Sequence, residues 1–242
     1  SEDNFALKGI SFVNDYLIAD YIDHADMRSS ILFFNHAGEQ LDVTLPEILS
    51  GTIGGFQGVG DDTIIFSVTS YTQPVQYFSF DFKNNSLELL WEENIPGFNP
   101  NDYTEVSTNY ESKDGTMVPI TYSYKSSTKL NKDTPIFLYA YGGYNISIRP
   151  SFTPKYVAWL EMGGVLAVAN IRGGGEFGKA WHDAGRLDTK QNVFDDFLYA
   201  SKFLESNAIG NRKSTVISGR SNGGLLVGAT LIQNPNYFGA AL

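Results

Sequence analysis

A chain of 242 residues, 42% of them hydrophobic and 18% charged, holds enough apolar material for one large or two modest cores, which excludes a disordered polymer. Its 27 Asp and Glu against 17 Lys and Arg leave a formal net charge of -10, so the electrostatic footprint of a nucleic-acid binder is excluded and polyanionic partners are disfavoured. The absence of cysteine excludes a disulfide framework, thiol catalysis and Cys-ligated zinc, and leans toward a reducing, cytoplasmic compartment.

The apolar run Val-Leu-Ala-Val-Ala at 165–169 is far shorter than the roughly 20 residues a membrane span needs, so no membrane partner is expected. The opening Ser-Glu-Asp-Asn has neither the basic residues nor the apolar core of a signal peptide. It also lacks an initiator Met, and the reading frame is expected to begin upstream.

From residue 9 to about 91 the pattern is one of short strands separated by polar turns, and it repeats weakly. Asp-Tyr-Leu-Ile-Ala-Asp at 15–20 resembles Asp-Thr-Ile-Ile-Phe-Ser at 62–67, and Ile-Leu-Phe-Phe-Asn at 31–35 resembles Gln-Tyr-Phe-Ser-Phe at 76–80, a shift of about 46 residues. Turn signals at 36–39 and 83–86 are each followed by a further strand candidate, as in a propeller blade. Two such units cannot close a propeller, which needs about 4 to 8 blades. Residues 1–100 therefore read as the C-terminal blades of a longer β-propeller, the alternative being a small antiparallel sheet packed on the second half.

The Pro, Gly and Asn-rich stretch 95–101 marks the expected domain boundary. Beyond it, 106–124 predicts a hairpin turning at Lys-Asp-Gly-Thr, 113–116. The apolar runs 135–140 and 164–169 predict strands buried on both faces of a parallel sheet, with a helix over 156–162 between them. Val193, Phe194, Phe197, Leu198, Ala200, Phe203 and Leu204 form the stripe of an amphipathic helix over 192–205, stopped by Gly210 and Asn211. A strand at 214–218 and a helix at 225–233 complete an α/β pattern with a mainly parallel sheet over 101–242.

Gly-Arg-Ser-Asn-Gly at 219–223 matches G-x-S-x-G, the nucleophile elbow, and sits between a predicted strand and a predicted helix as that turn requires. Ser221 would stand exposed at the carboxyl end of the strand, with the helix N-terminus and the Asn222 backbone N–H facing a developing oxyanion. A serine hydroxyl needs a base, and residues 222–242 contain neither Asp, Glu nor His. His24 and His36 read as solvent-exposed turn residues, and His182 as a loop residue rather than the base.

Gly173, Gly175 and Gly178 also satisfy G-x-G-x-x-G after a predicted strand, with Asp195 and Asp196 about 20 residues further on, the fingerprint of a dinucleotide site. No sustained helical stripe follows Gly178, so no helix N-terminus is aimed at a pyrophosphate; the two aspartates are read as opening the first turn of the next helix. Sequons at Asn84 and Asn145 are read as chance matches. No His and carboxylate spacing suits a metal, and no cofactor is expected.

Several motifs in one order now carry a likeness: Tyr-Ala-Tyr-Gly-Gly-Tyr-Asn-Ile-Ser-Ile at 139–148, Asn-Ile-Arg-Gly-Gly-Gly-Glu-Phe-Gly at 170–178, Trp-His at 181–182, Lys-Gln-Asn-Val-Phe-Asp-Asp at 190–196 and Ser-Gly-Arg-Ser-Asn-Gly-Gly-Leu-Leu at 218–226. Together they resemble the prolyl oligopeptidase family, densely from about 110 to 242 and more thinly across the blades. The resemblance implies a propeller lidding an α/β-hydrolase domain that cuts short proline-containing peptides after proline, monomeric when full length. It implies Ser221 as nucleophile, the Tyr141 hydroxyl and Asn222 N–H as the oxyanion hole, and Tyr144 in the wall of the proline pocket. Arg220, where glycine is usual in the family, is a departure.

The expectation is thus an incomplete α/β-hydrolase domain, ending after the elbow, preceded by propeller blades. Such a chain alone would be inactive, with an exposed apolar sheet edge that favours aggregation. The competing class is a pseudoenzyme or a propeller interaction module.

Overall fold

A computed structural model describes residues 4–43, 45–46 and 49–242. The chain divides into two compact units, Ser1–Pro100 with Arg149–Thr153, and Asn101–Ile148 with Pro154–Leu242.

The first unit is built from two antiparallel sheets of the propeller-blade kind. Strands β1 (Phe5–Val13), β2 (Tyr16–Asp23) and β3 (Ser29–Phe34) pair in order. So do β4 (Thr52–Val59), β5 (Thr63–Thr69), β6 (Gln76–Asp81) and β7 (Ser86–Glu92). The weak sequence repeat superimposes β2 on β5 and β3 on β6. Period-two alternation drives Ile64, Phe66 and Val68 of β5 into one core with Ile18, Phe33, Phe78 and Phe80. Asn14 takes the left-handed conformation (φ 53°) that the two-residue β1–β2 turn demands, and Asp81 accepts the N–H groups of Lys83 and Asn84 to close the β6–β7 turn. His36 stands exposed in its turn, as its polar surroundings suggested, whereas His24, expected in solvent, is half-buried in its own.

Residues 149–153 pack with this unit through a bidentate pair between the Arg149 guanidinium and Asp20 (2.6 and 3.1 Å) and a bond from the Phe152 N–H to Thr69 Oγ1 (3.1 Å).

The second unit contains β8 (Tyr103–Glu111), β9 (Met117–Lys125), β10 (Ile136–Tyr139), α1 (Pro154–Glu161), β11 (Val165–Ala169), α2 (Lys179–Asp183), α3 (Gln191–Ser206), β12 (Thr215–Ser218), α4 (Asn222–Gln233) and β13 (Ala240–Ala241). They form a mixed six-stranded sheet in the order β13-β12-β10-β11-β9-β8, parallel from β13 to β11 and antiparallel through the β8–β9 hairpin. Every residue of β11 is buried, the reason its sequence is an unbroken apolar run. The stripe Val193, Phe197, Ala200 and Leu204 seats α3 on this sheet. Among the described residues no helix is long and apolar enough to cross a membrane.

Three local expectations change. Helix α4 begins at Asn222, not 225, because Gly223 and Gly224 hide a helical turn that the elbow nucleates. A five-residue helix, α2, follows Gly178 and contains His182, so that histidine is not in a loop. Helix α3 begins at Gln191, which puts Asp195 and Asp196 in its second turn; Asp196 is fully buried, so its role is pairing, not the helix dipole.

Its partner is Arg172. The guanidinium side chain, 5% exposed, donates through Nε (2.9 Å) and Nη2 (2.6 Å) to Asp196 and through Nη1 (2.5 Å) to Asp114, while the Arg172 N–H also reaches Asp196 (3.1 Å). Ser112 donates to the same carboxylate at 2.5 Å, and the buried Tyr110 hydroxyl donates to the Asp196 carbonyl. Burial opposes the charge on Arg172, but the bonds to Asp196 and Asp114 outweigh it and raise its pKa. Each lone pair and proton is answered, the condition under which a buried pair holds.

Arg172→Met is expected to cost about 3–5 kcal/mol, since it leaves the Asp196 carboxylate buried without its cation; an unchanged denaturation midpoint would refute this. Hydrogen bonding to Arg172 lowers the pKa of Asp114 from 3.8 to about 2. A carboxylate whose pKa falls on folding adds stability above its unfolded pKa and loses it as pH falls through its folded one. The melting temperature of the protein is therefore expected to drop between pH 4 and pH 2 more steeply than that of Asp114→Asn, and parallel curves would count against it.

Candidate active site

Strand β12 turns into α4 through Gly219, Arg220 and Ser221. A Cβ on Gly219 would lie 2.0 Å from the Gly223 carbonyl oxygen, so only glycine lets strand end and helix start come this close. Ser221 sits at φ 59°, ψ -121°, a backbone region that costs a non-glycine residue about 1–3 kcal/mol. The strain is held in place by the Gly224 and Leu225 N–H groups, which both donate to the Ser221 carbonyl, and by Gly223 N–H donating to Arg220. Ser221 is exposed at the mouth of the helix, and Arg220 beside it is exposed as well. Of the first four N–H groups of α4, those of Gly223, Gly224 and Leu225 are taken up by this turn, which leaves the Asn222 N–H at the positive end of the helix.

Facing the elbow is the loop after β10. Gly142, at φ 61°, is packed so tightly that a Cβ would lie 2.5 Å from Val193 and 2.7 Å from Ile171, and a Cβ on Gly143 would lie 2.5 Å from Asn222 Nδ2. These contacts bring the loop against α4. Asn222 donates through Nδ2 to the Tyr141 carbonyl (2.5 Å), and the Tyr141 ring lies beside Gly223. Tyr141 is half-buried, whereas Tyr144 is 75% exposed. Tyr144 and Asn145 both take positive φ (55° and 57°), which makes the loop tip a tight left-handed turn.

Two residues assigned no role in the site from sequence, Lys190 and His182, shape this loop. Lys190, the residue before α3, places its ammonium 2.9 Å from the Gly142 carbonyl and 3.4 Å from Asn222 Oδ1; burial lowers its pKa. The Nδ1 of His182 lies 2.7 Å from the Gly173 carbonyl and 3.1 Å from the Asn145 N–H, so the histidine is committed to the loop tip. The Lys-Gln-Asn and Trp-His motifs marked both positions without showing what they touch.

Two of the G-x-G-x-x-G glycines, Gly173 and Gly175, serve the same packing, while Gly178 has open space around it and a positive φ. A Cβ on Gly173 would lie 2.6 Å from the Gly142 carbonyl, and one on Gly175 would lie 2.5 Å from that of Asn145. They let two backbone loops touch, and the helix that follows is one of five residues, too short to present a phosphate site.

The prolyl oligopeptidase family model matches residues 150–242. Over 223 residues the chain is 40% identical to a prolyl endopeptidase of Elizabethkingia miricola, covering 91% of this chain and 31% of that protein. It is 35% identical over 242 residues to a prolyl endopeptidase of Dictyostelium discoideum, covering 98% and 31%. The chain belongs to the prolyl oligopeptidase family. Among solved structures, one from a study of two prolyl endopeptidases superposes at a TM-score of 0.91 with 39% identity, over 98% of this chain and 35% of that one. Prolyl oligopeptidase B of Galerina marginata, bound to a 35mer substrate, superposes at 0.91 with 32% identity, over 98% and 34%. The chain thus spans about a third of the length of these relatives.

Gly143→Ala is expected to push the Asn222 amide off the Tyr141 carbonyl and to destabilise the protein by about 1–3 kcal/mol. A crystal structure of the variant with the 2.5 Å bond intact would show the loop to be more pliable than its packing implies.

Proposed function

We propose that this chain is the nucleophile-bearing part of a serine endopeptidase of the α/β-hydrolase type, which hydrolyses short peptides on the carboxyl side of proline through an acyl-enzyme. The observation that carries the reading is Ser221 itself: exposed, strained at φ 59°, and presented between a parallel strand and a helix N-terminus. The prolyl endopeptidases to which the chain is similar, and the substrate-bound oligopeptidase B on which it superposes, support the peptide substrate class.

In this mechanism Ser221 Oγ attacks the carbonyl carbon that follows the proline ring, and its proton passes to a histidine held by an aspartate. Neither acid nor histidine lies between 222 and 242, so both come from outside these residues. Negative charge gathers on the carbonyl oxygen as the tetrahedral centre forms. The Asn222 N–H, at the positive end of α4, and the Tyr141 hydroxyl, on the loop tied to that helix, receive it. The amine then leaves with the proton, and water repeats the attack to free Ser221. Tyr144, largely exposed, offers an aromatic face to the pyrrolidine of the residue before the cut.

With the full-length protein and a proline-linked chromogenic peptide, Ser221→Ala is expected to abolish turnover. Tyr141→Phe should lower kcat by about 10²–10³ with KM little changed, the signature of a donor used in the transition state. Turnover that survives Ser221→Ala would discard the reading, and a folded full-length protein with no turnover at all would favour a pseudoenzyme.

A further inference from the structure

Lys190 is placed where no general packing argument requires a charge. The cation is half-buried and, among the described residues, forms no ion pair; it is met by the Gly142 carbonyl at 2.9 Å, Asn222 Oδ1 at 3.4 Å and the Phe194 ring, whose centroid is 6.0 Å from Nζ. Partial withdrawal from water without a counter-ion disfavours the charged form, which is the direction of its pKa shift. A neutral donor could bridge two oxygens at less cost in desolvation, so the charge serves a purpose other than holding the fold together.

The contacts of its neighbours indicate what that purpose is. Asn222 uses both ends of its amide: Oδ1 faces Lys190, and Nδ2 donates to the Tyr141 carbonyl. The two carbonyls fixed by this clamp, those of residues 141 and 142, belong to the two successive peptide planes that follow the Tyr141 Cα. Because a peptide is planar, holding its carbonyl holds the whole unit. The backbone that aims the Tyr141 side chain is therefore set by Asn222, and the Asn222 amide is in turn set by Lys190. Asn222 is also the first residue of α4, next to Ser221. One ammonium group thus fixes the loop carrying one proposed oxyanion donor against the helix carrying the other.

We propose that Lys190 is a positioning residue for the oxyanion hole, holding Tyr141 and Asn222 in register through the Gly142 carbonyl and the Asn222 side-chain amide. The inference rests on the proposed peptidase reading. It assigns Lys190 a role in the transition state, not in substrate binding.

The test is a double-mutant cycle in the full-length protein, with steady-state kinetics on a proline-linked chromogenic peptide. Lys190→Met, close in shape but uncharged, is expected to lower kcat about 10- to 100-fold while KM stays within about threefold. In the Tyr141→Phe background the same substitution should cost less than about threefold, because the hydroxyl it positions is already gone. Lys190→Arg, which keeps charge and donors, should recover most of the loss. An unchanged kcat in Lys190→Met, or an equal loss in both backgrounds, would overturn the proposal. So would a Lys190→Met protein that cannot be recovered folded while Lys190→Arg folds without restored turnover, since both describe a residue needed only for structure. If the unaltered protein shows no Ser221-dependent turnover, the peptidase reading fails first. Crystal structures then decide the clamp: a 141–143 loop displaced from Asn222 in Lys190→Met upholds it, and an unmoved loop removes it.

Discussion

The second unit depends on the buried pair between Arg172 and Asp196. Arg172 leaves the end of β11, Asp196 sits in the second turn of α3, and Asp114 and Ser112 come from the tip of the β8–β9 hairpin. One guanidinium therefore fixes the exit of a central strand, the rotation of a helix and the end of the antiparallel edge. The rotation of α3 matters beyond its own packing, because Val193 on that helix presses on Gly142 and Lys190 immediately precedes it. A charge pair buried between strand and helix thus sets the loop that faces Ser221 without touching it.

Around this anchor, the site is assembled by backbone meeting backbone. Gly219 approaches Gly223, Gly173 approaches Gly142, and Gly175 approaches Asn145, each at a distance that leaves no room for a methyl group. Side-chain packing adjusts by changing rotamers, whereas contacts between peptide groups have no such freedom. In the proposed oxyanion hole, donors placed in this way would need little reorganisation as charge develops.

What the sequence made legible follows from the range of the forces involved. The apolar run of β11, the stripe of α3 and the Lys-Asp-Gly-Thr hairpin are local patterns with fixed periods, and the elbow announces itself because two glycines bracket a serine between strand and helix. The onset of α4 was hidden by Gly223 and Gly224, whose helix propensity is poor. Asp196 resembled a helix-opening carboxylate, because its partner lies 24 residues away on a different element and no local period records such a pairing. The contacts of Lys190 and of His182, which the sequence placed in a loop, were hidden for the same reason: a cation bound to a carbonyl, or an imidazole beside a turn, leaves no mark in residue spacing.

The backbone at Ser221 has a consequence for lineage. At φ 59°, ψ -121° glycine is at ease and serine is not, so the position exerts a steady thermodynamic preference for losing its side chain. Any descendant released from the need for a hydroxyl at this point would gain stability by the simplest of substitutions. Serine at 221 therefore stands against the inclination of the fold that displays it, and the proposed role of its hydroxyl is what would hold it there.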